Sequence, residues 1–297
     1  MATFQFFNIK VLPHVGGEKS QIGSDGYKKL FRAVKEHISR GDRAKNILGL
    51  SYKLKNDFYF SILHIHLDET FSFVKFLKFD KPESLVDTLT GDPMQSVPQN
   101  ASAHRHEFEY LFVYKCHVMA VQHLNGKSPN PAVTIKALNA ILEPTCKAVF
   151  PDHYLRIDVL TSDTELRKIL DSAVKFKRAE VEISVTNSDE YLDEEANETE
   201  AEMKDLGISE ISHIESATKN GFMSSFSKKC LAYLKIAQKN GNASIRYVEK
   251  STGKLKRYIM RDHPIKTTVV QTKKMKDDEY RDILSNTVIN TDRRTRS

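Results

Sequence analysis

The sequence predicts an α+β protein with mixed, mostly antiparallel sheets and flanking helices, in two domains joined by an acidic hinge. Runs rich in Phe, Tyr and Ile with strand-like alternation are interspersed with stretches of helical spacing over residues 1–186, the predicted N-terminal domain. Residues 187–210, the predicted hinge, break this pattern with a block of like charge. Residues 211–297 form the predicted basic domain, a helix followed by a hairpin.

Each element of the N-terminal part is predicted from the spacing of its apolar side chains. Pro82 marks one helix start, because proline is favoured in the first helical turn. The predicted strands are Phe4–Val11, Asn46–Leu54, Asp57–His66, Thr70–Phe79, Glu107–Tyr114, His117–Leu124, Tyr154–Leu160 and Val174–Val185. The predicted helices are Asp25–Arg40, Pro82–Leu89, Pro131–Leu142 and Asp163–Asp171.

Composition points to a soluble protein of the cytoplasm. No apolar run approaches the roughly 18–20 residues of a membrane span. The first residues lack the charged and apolar regions of a signal peptide and are predicted to be a strand. The three cysteines, Cys116, Cys146 and Cys230, are far apart and odd in number, which favours reduced thiols.

The charge of the chain is strongly segregated. Between Lys219 and Lys276 there are fifteen Lys and Arg residues against two acidic ones, a net charge of +13. The whole chain carries only +6, so the remainder sums to −7. Concentrated positive charge attracts phosphate polymers or anionic membranes, because neutralising phosphates releases their counterions. The segregation therefore indicates a binding function.

The segment from Asn187 to Asp205 carries nine acidic residues against one lysine. Blocks of like charge repel one another and rarely build a core, which favours a solvated linker or a loose helix. An alternative interpretation is that the acidic segment covers the basic region when no polyanion is bound.

The basic region contains an amphipathic helix followed by a hairpin. The helix is predicted over Phe222–Gln238, and the pair Asn240-Gly241 is expected to end it through a left-handed cap. The hairpin strands lie in ASIRYVEK and KLKRYIM, around a three-residue loop at Ser251–Gly253.

The pairing across this hairpin decides which side chains share a face. A three-residue loop places Lys250 opposite Lys254, and Arg246 opposite Tyr258. Like charges across a hairpin cost stability, so their presence favours an external anion. The predicted cationic face consists of Arg246, Lys250, Lys254, Lys256 and Tyr258; Ile245, Tyr247, Leu255 and Ile259 form the other face, with Arg257 at its edge.

A basic ribbon of this kind can lie along a phosphate backbone, where arginine adds bidentate contacts. No spacing typical of a helix-turn-helix, a zinc finger or an RNA-recognition motif occurs, so binding is expected to be electrostatic and independent of base sequence. The alternative is a solvated charged face without a ligand. The predicted DNA-binding residues are Arg246, Lys250, Lys254, Lys256, Arg257, Lys228 and Lys229.

Two other functions stay open. His64 and His66 share one face of a strand, and with Asp68 they could form the metal site of a nuclease. Such a pair is a weak signal, and the sequence has no phosphate-binding glycine loop, GxSxG or HExxH motif. We therefore predict no enzymatic activity, no metal and no cofactor. As a second alternative, the basic face could bind an acidic protein or an anionic lipid.

In the order of its motifs the chain resembles the RexA phage-exclusion proteins and, more distantly, the KwaB-type antiviral proteins. The likeness lies in FYFSILHIHLDETFSFVKF, in YLFVYKCHVMAVQHL, in YLRIDVLTSDTELRKIL running into KFKRAEVEIS, and in the Lys-rich helix before ASIRYVEKSTGKLKRYIM. The resemblance implies a dimeric, non-enzymatic protein with a larger domain and a smaller mobile one. It further implies binding of double-stranded DNA with little sequence preference, and action beside a membrane protein in aborting infection.

Among the basic residues, Arg246 best matches the strand that contacts DNA in the RexA family. Val248 stands where that family has a cation, and Lys250 follows two residues later. The resemblance therefore implies a basic contact surface that includes Arg246.

Overall fold

The computed structural model describes residues 1–14, 22–39, 51–80, 104–185, 194–272 and 275–295. These ranges contain six helices and twelve strands in two sheets, and every strand pair among them is antiparallel, which confirms the α+β class. The strands are β1 Ala2–Pro13, β2 Tyr52–Lys53, β3 Phe58–Leu67, β4 Phe71–Asp80, β5 Arg105–Val113, β6 Val118–His123, β7 His153–Val159, β8 Ala173–Ser184, β9 Glu210–Ser216, β10 Gly241–Glu249, β11 Leu255–Ile259 and β12 Lys266–Val269. The helices are α1 Gly23–Ser39, α2 Pro131–Val149, α3 Asp163–Ser172, α4 Glu194–Asp205, α5 Lys228–Asn240 and α6 Asp277–Arg294.

The predicted elements of the N-terminal part that fall within the described residues are present with shifted ends. α2 continues past the predicted end at Leu142 to Val149 and contains Pro144. The strand predicted at Asn46–Leu54 is represented by Tyr52–Lys53, since residues 46–50 lie outside the described ranges, as does the predicted helix Pro82–Leu89. Strands β9 and β12 and helix α6 were not predicted, because they are short or carry a mixed polar pattern.

The larger sheet has the order β12-β1-β6-β5-β4-β3-β2, with β7 also paired to β1. α1 and α2 cover one face, over a core that includes Phe31, Phe112 and Leu138. α6 covers the other face, where Leu284 and Val288 pack beside Phe4, Phe6 and Phe73. Burial of aromatic side chains on both faces makes this sheet the main hydrophobic core.

The smaller sheet has the order β11-β10-β8-β9. α5 packs on one face through buried apolar side chains, among them Cys230, Tyr233 and Leu234, against Val181 and Ile245 of the strands. The period of two along the strands therefore directs the alternate side chains to the face opposite α5.

The two sheets do not follow the predicted division of the chain. β8 belongs to residues 1–186 but lies in the smaller sheet beside β10 and β9. β12 and α6 belong to residues 211–297 but pack on the larger sheet, β12 by pairing with β1. The chain thus crosses between the sheets more than once, and this topology connects them through several segments.

A buried group of polar side chains, which we call the polar junction, connects the two sheets. Lys10 of β1 forms an ion pair with Asp158 of β7 at 2.7 Å and donates to Ser184 at the end of β8 at 2.5 Å. Burial lowers the pKa of Lys10, and the carboxylate of Asp158 opposes that shift. The other members are Asn8, whose Nδ2 donates to Asn240 Oδ1 at 2.8 Å, and the ion pair of Lys239 with Asp292 at 2.8 Å.

The described part of the acidic segment forms α4, which packs against α5 through the buried Met203. Glu200 is also buried and pairs with Lys204 at 2.9 Å. The prediction of a linker or loose helix is thus replaced, for residues 194–205, by a packed helix. Residues 186–193 lie outside the described ranges. Among the described helices, none is both long enough and apolar enough to span a membrane.

Candidate nucleic-acid interface

The hairpin of β10 and β11 has a different loop from the predicted one. The Glu249 amide donates to the carbonyl of Lys254 at 3.0 Å, and the Gly253 amide donates to the carbonyl of Glu249 at 2.8 Å. Four residues, 250–253, therefore form the loop instead of three. Gly253 adopts a φ of 64°, a left-handed conformation that glycine accepts without steric cost.

The extra loop residue shifts the register by one and corrects the predicted faces. Arg246 lies opposite Arg257 rather than Tyr258, and Tyr247 lies opposite Lys256. Tyr258 is buried among the core side chains beneath the sheet, so its predicted place on the cationic face is wrong. Arg257, predicted at the edge of the apolar face, stands beside Arg246 on the face opposite α5.

The same face carries a third arginine from a strand that sequence reasoning placed in the other domain. Arg178 of β8 pairs with Arg246 of β10, which pairs with Arg257 of β11. We call these three residues the arginine row. Neighbouring strands are about 4.8 Å apart, so the row places three guanidinium groups along a backbone distance of about 10 Å.

The three arginines differ in their local partners. Arg178 is held by Glu180 at 2.6 Å and by Ser216 at 3.2 Å, and Arg257 donates to Ser244 at 2.9 Å. Arg246, at the centre of the row, is exposed and has no hydrogen bond or ion pair within the described residues. Like charges on adjacent strands repel, so the row carries an electrostatic cost that no internal group relieves at Arg246.

The arginine row lies toward the end of the smaller sheet that carries the hairpin loop. α5 begins at this end, since the ring of Phe226 contacts that of Phe176 with centroids 4.4 Å apart, and Phe176 lies opposite Tyr247. Lys175 at the start of β8 lies 4.1 Å above the ring of Phe222, which is 45% exposed. We call the cations gathered here the basic end: Lys175, Lys177, Arg178, Lys228, Lys229, Arg246, Lys250, Lys254 and Arg257.

Six of the seven predicted DNA-binding residues fall on three parts of this end. Arg246 and Arg257 lie on the open face, and the exposed Lys250 and Lys254 lie at the hairpin loop. Lys228 and Lys229 lie in the first turn of α5, on the opposite side of the sheet. The residues that sequence reasoning missed are Lys175, Lys177 and Arg178; the run KFKR was visible, but only the strand order brings it to the hairpin.

Lys256 differs from the other six predicted residues because a carboxylate already holds it. Its ammonium lies 2.6 Å from Glu249 on the face that carries Tyr247. The hydrogen bond from Lys256 lowers the pKa of Glu249, and the same contact raises the pKa of Lys256. A phosphate would have to displace Glu249 to reach this ammonium, so Lys256 is a weaker candidate than Arg246.

The alternative nuclease site is not assembled. Asp68 accepts hydrogen bonds from the backbone and hydroxyl of Thr70, at 3.1 and 3.2 Å, in the turn between β3 and β4. His64 and His66 lie along β3, and among the described residues these two histidines and Asp68 do not form a group of three converging donors. Within the described ranges a different group does converge, formed by His213, Glu215 and Cys230.

Comparison with known proteins places the chain in a family. Residues 2–288 match the profile described as a domain of unknown function, DUF4747. No curated protein matches the sequence. The match spans both sheets, the basic end and the first five described helices, and it ends within α6, before Asp292 of the polar junction. On this evidence the chain is a member of the DUF4747 family.

Proposed function

We propose that this protein binds double-stranded DNA without sequence preference, through the basic end and chiefly through the arginine row. The observation that carries the proposal is the central Arg246, exposed, flanked by two arginines and without a partner among the described residues. Positive side chains that a fold holds together against their repulsion are suited to an external polyanion.

The shape of the site favours a polymer over a small anion. The arginine row crosses three strands of a sheet face, and the hairpin loop extends the charge with Lys250 and Lys254. A linear array of cations matches the continuous phosphate backbone of a duplex, and arginine can contact phosphates in bidentate fashion. Glu180 and Glu182 lie farther along the same face and limit the footprint to the basic end.

The biological role that we attach to this binding is sensing or effecting phage exclusion in antiviral defence. It rests on the resemblance to the RexA and KwaB-type proteins. The same resemblance supports a homodimer without enzymatic activity, acting in the cytoplasm beside a membrane-protein partner. The arginine row supports only the DNA-binding part of this proposal.

The test is binding of the full chain to a labelled random-sequence duplex over a salt series. Each phosphate contact contributes about 0.9 to the slope of log affinity against log salt, so Arg246→Ala should make the slope shallower by about 0.9. Arg32→Ala is the matched control, since it removes an exposed arginine from α1 on the larger sheet. That variant should keep the slope of the wild type.

The proposal fails if the wild type does not bind duplex at low salt, or if both variants change the slope equally. Binding to vesicles of anionic lipid that DNA does not compete away would favour the membrane-surface alternative. Metal-dependent cleavage of plasmid that His64→Ala abolishes would favour the nuclease alternative. Both outcomes would replace the proposed function.

A further inference from the structure

We propose that His213, Glu215 and Cys230 bind a transition-metal ion of the zinc type between β9 and α5. Their imidazole, carboxylate and thiol donor atoms all lie within 4.8 Å of one another. Imidazole nitrogen, carboxylate oxygen and thiolate sulfur are the ligand types that zinc takes in proteins. This site lies on the α5 side of the smaller sheet and is separate from the arginine row.

The positions of the three donors follow from the secondary structure. His213 and Glu215 are two residues apart on β9, so both point to the same face of the strand. Cys230 lies in the first turn of α5, which packs on that face, and its side chain is buried. One strand and one helix thus supply all three donors, without any contribution from a loop.

The distances are close to those of an occupied site. His213 Nε2 and Glu215 Oε1 are 3.1 Å apart. Two donors bound to one tetrahedral zinc ion at bond lengths of about 2.0–2.3 Å are themselves separated by roughly 3.3–3.8 Å. Side-chain adjustments on the order of 1 Å would therefore complete the coordination. Three protein ligands leave a fourth position open for water or an external ligand.

Neighbouring residues already fix the orientation of two donors. Ser227 donates to Glu215 with its backbone amide, at 3.1 Å to Oε2, and with its hydroxyl to Oε1. The His213 ring meets the Tyr233 ring edge-on, at 5.3 Å between centroids and 88° between planes. Ligating carboxylates and imidazoles are usually held by such outer contacts, which pre-form the site.

The protonation of the thiol makes metal binding at this group dependent on pH. Burial raises the pKa of the Cys230 thiol to about 12, and the nearby carboxylate of Glu215 adds to that shift. A divalent ion would stabilise the thiolate and the carboxylate together, releasing the thiol proton on binding. Capping of α5 explains the contact of Glu215 with Ser227, but it does not explain why an imidazole and a thiol converge on the same carboxylate.

The test is a titration of the purified full chain with Co²⁺, followed by displacement with Zn²⁺. A cobalt–thiolate bond gives a charge-transfer absorption that neither carboxylate nor imidazole produces, so this band should appear and saturate at one equivalent. His213→Ala should weaken binding by about 100-fold or more, because it removes one of three ligands from a site that is sensitive even to its outer contacts. His213 is only partly buried, so this variant is expected to fold.

Two cysteine variants complete the experiment. Cys230→Ser should lose the charge-transfer band, whereas Cys146→Ser, which changes another buried free cysteine on α2, should retain it. If the wild type shows no thiolate band at one equivalent of Co²⁺, the site does not exist, whatever the variants do. A band of equal strength in Cys230→Ser or His213→Ala would likewise overturn the assignment.

Discussion

The polar junction and the arginine row use positive charge in opposite ways. In the junction, the ammonium groups of Lys10 and Lys239 are buried, and each has a carboxylate within 2.8 Å. In the row, Arg246 is exposed between two other arginines and has no partner in the described part of the chain. A buried charge needs an internal partner, because burial without one costs free energy. An exposed charge is solvated and remains able to bind an external ligand.

This difference separates structural cations from candidate binding cations more sharply than charge counts do. Lys239 belongs to the basic region by sequence, yet it is 1% exposed and pairs with Asp292 of α6. Arg178 lies outside that region, yet it stands beside Arg246. Removing a cation should therefore have opposite effects on folding in the two places.

The largest expected change in the free energy of unfolding is for a variant in the polar junction. Asp292→Ala leaves the ammonium of Lys239 buried without this carboxylate and should lower the free energy of unfolding by about 3–5 kcal/mol. Urea denaturation measures the change. Asp278→Ala is the control, since Asp278 is 90% exposed in the first turn of the same helix. A loss at Asp292 as small as that of the control would show that the buried pair is not structural.

A smaller decrease in the free energy of unfolding is expected for Lys10→Met, also in the polar junction. Asp158 would still have the guanidinium of Arg156 at 3.3 Å, so its carboxylate would keep a cationic partner. Methionine also fills much of the volume of the lysine stem. The expected loss is about 1–3 kcal/mol, the usual range for a hydrogen bond to a charged group. A loss equal to that of Asp292→Ala would mean that Arg156 does not compensate.

At the arginine row, removing a cation should stabilise the protein instead of destabilising it. Arg246→Ala removes a like-charge contact on each side, so the free energy of unfolding should rise by about 0.2–1 kcal/mol. The same variant should weaken duplex binding, as proposed above. Thermal or urea unfolding measures the first effect. A destabilised variant would indicate that Arg246 stabilises the fold, which would contradict its assignment as a cation available to bind phosphate.

The smallest effect is expected at Lys256, which was predicted from sequence as an equal partner of Arg246. Because Glu249 already holds its ammonium at 2.6 Å, Lys256→Ala should leave the affinity for duplex DNA within about twofold. Side-by-side titration of the two variants at one salt concentration measures the contrast. Equal losses of affinity would show that DNA displaces Glu249 and that internal pairing does not select the binding cations.

Most of the regular elements were predictable because each is defined by local periodicity. The apolar spacing in β3, β4, α1 and α2 placed these elements within a few residues, except that α2 runs seven residues longer. The helix predicted from Phe222 begins instead at Lys228, where Ser227 caps its first turn by accepting from the Cys230 amide at 3.1 Å.

The predicted end of α5 at Asn240-Gly241 is correct, but the predicted left-handed cap is absent there. Gly241 has a φ of 167°, which is extended backbone, so β10 begins directly after α5 without a left-handed cap. A Cβ on Gly241 would lie 1.9 Å from the carbonyl oxygen of Glu182. The glycine is there because a neighbouring strand passes close by, which no local pattern reveals.

The amino-acid sequence by itself determined the α+β class, the segregation of charge and the presence of a basic hairpin, because composition and short-range period define all three. The tertiary structure alone decided which cations share a surface. Strand order places Arg178 beside Arg246, and one additional loop residue places Arg257 on the same face. Lys239 is instead buried in the polar junction. Pairing between distant strands depends on the packing of the whole chain, so these neighbours could not be inferred from local spacing.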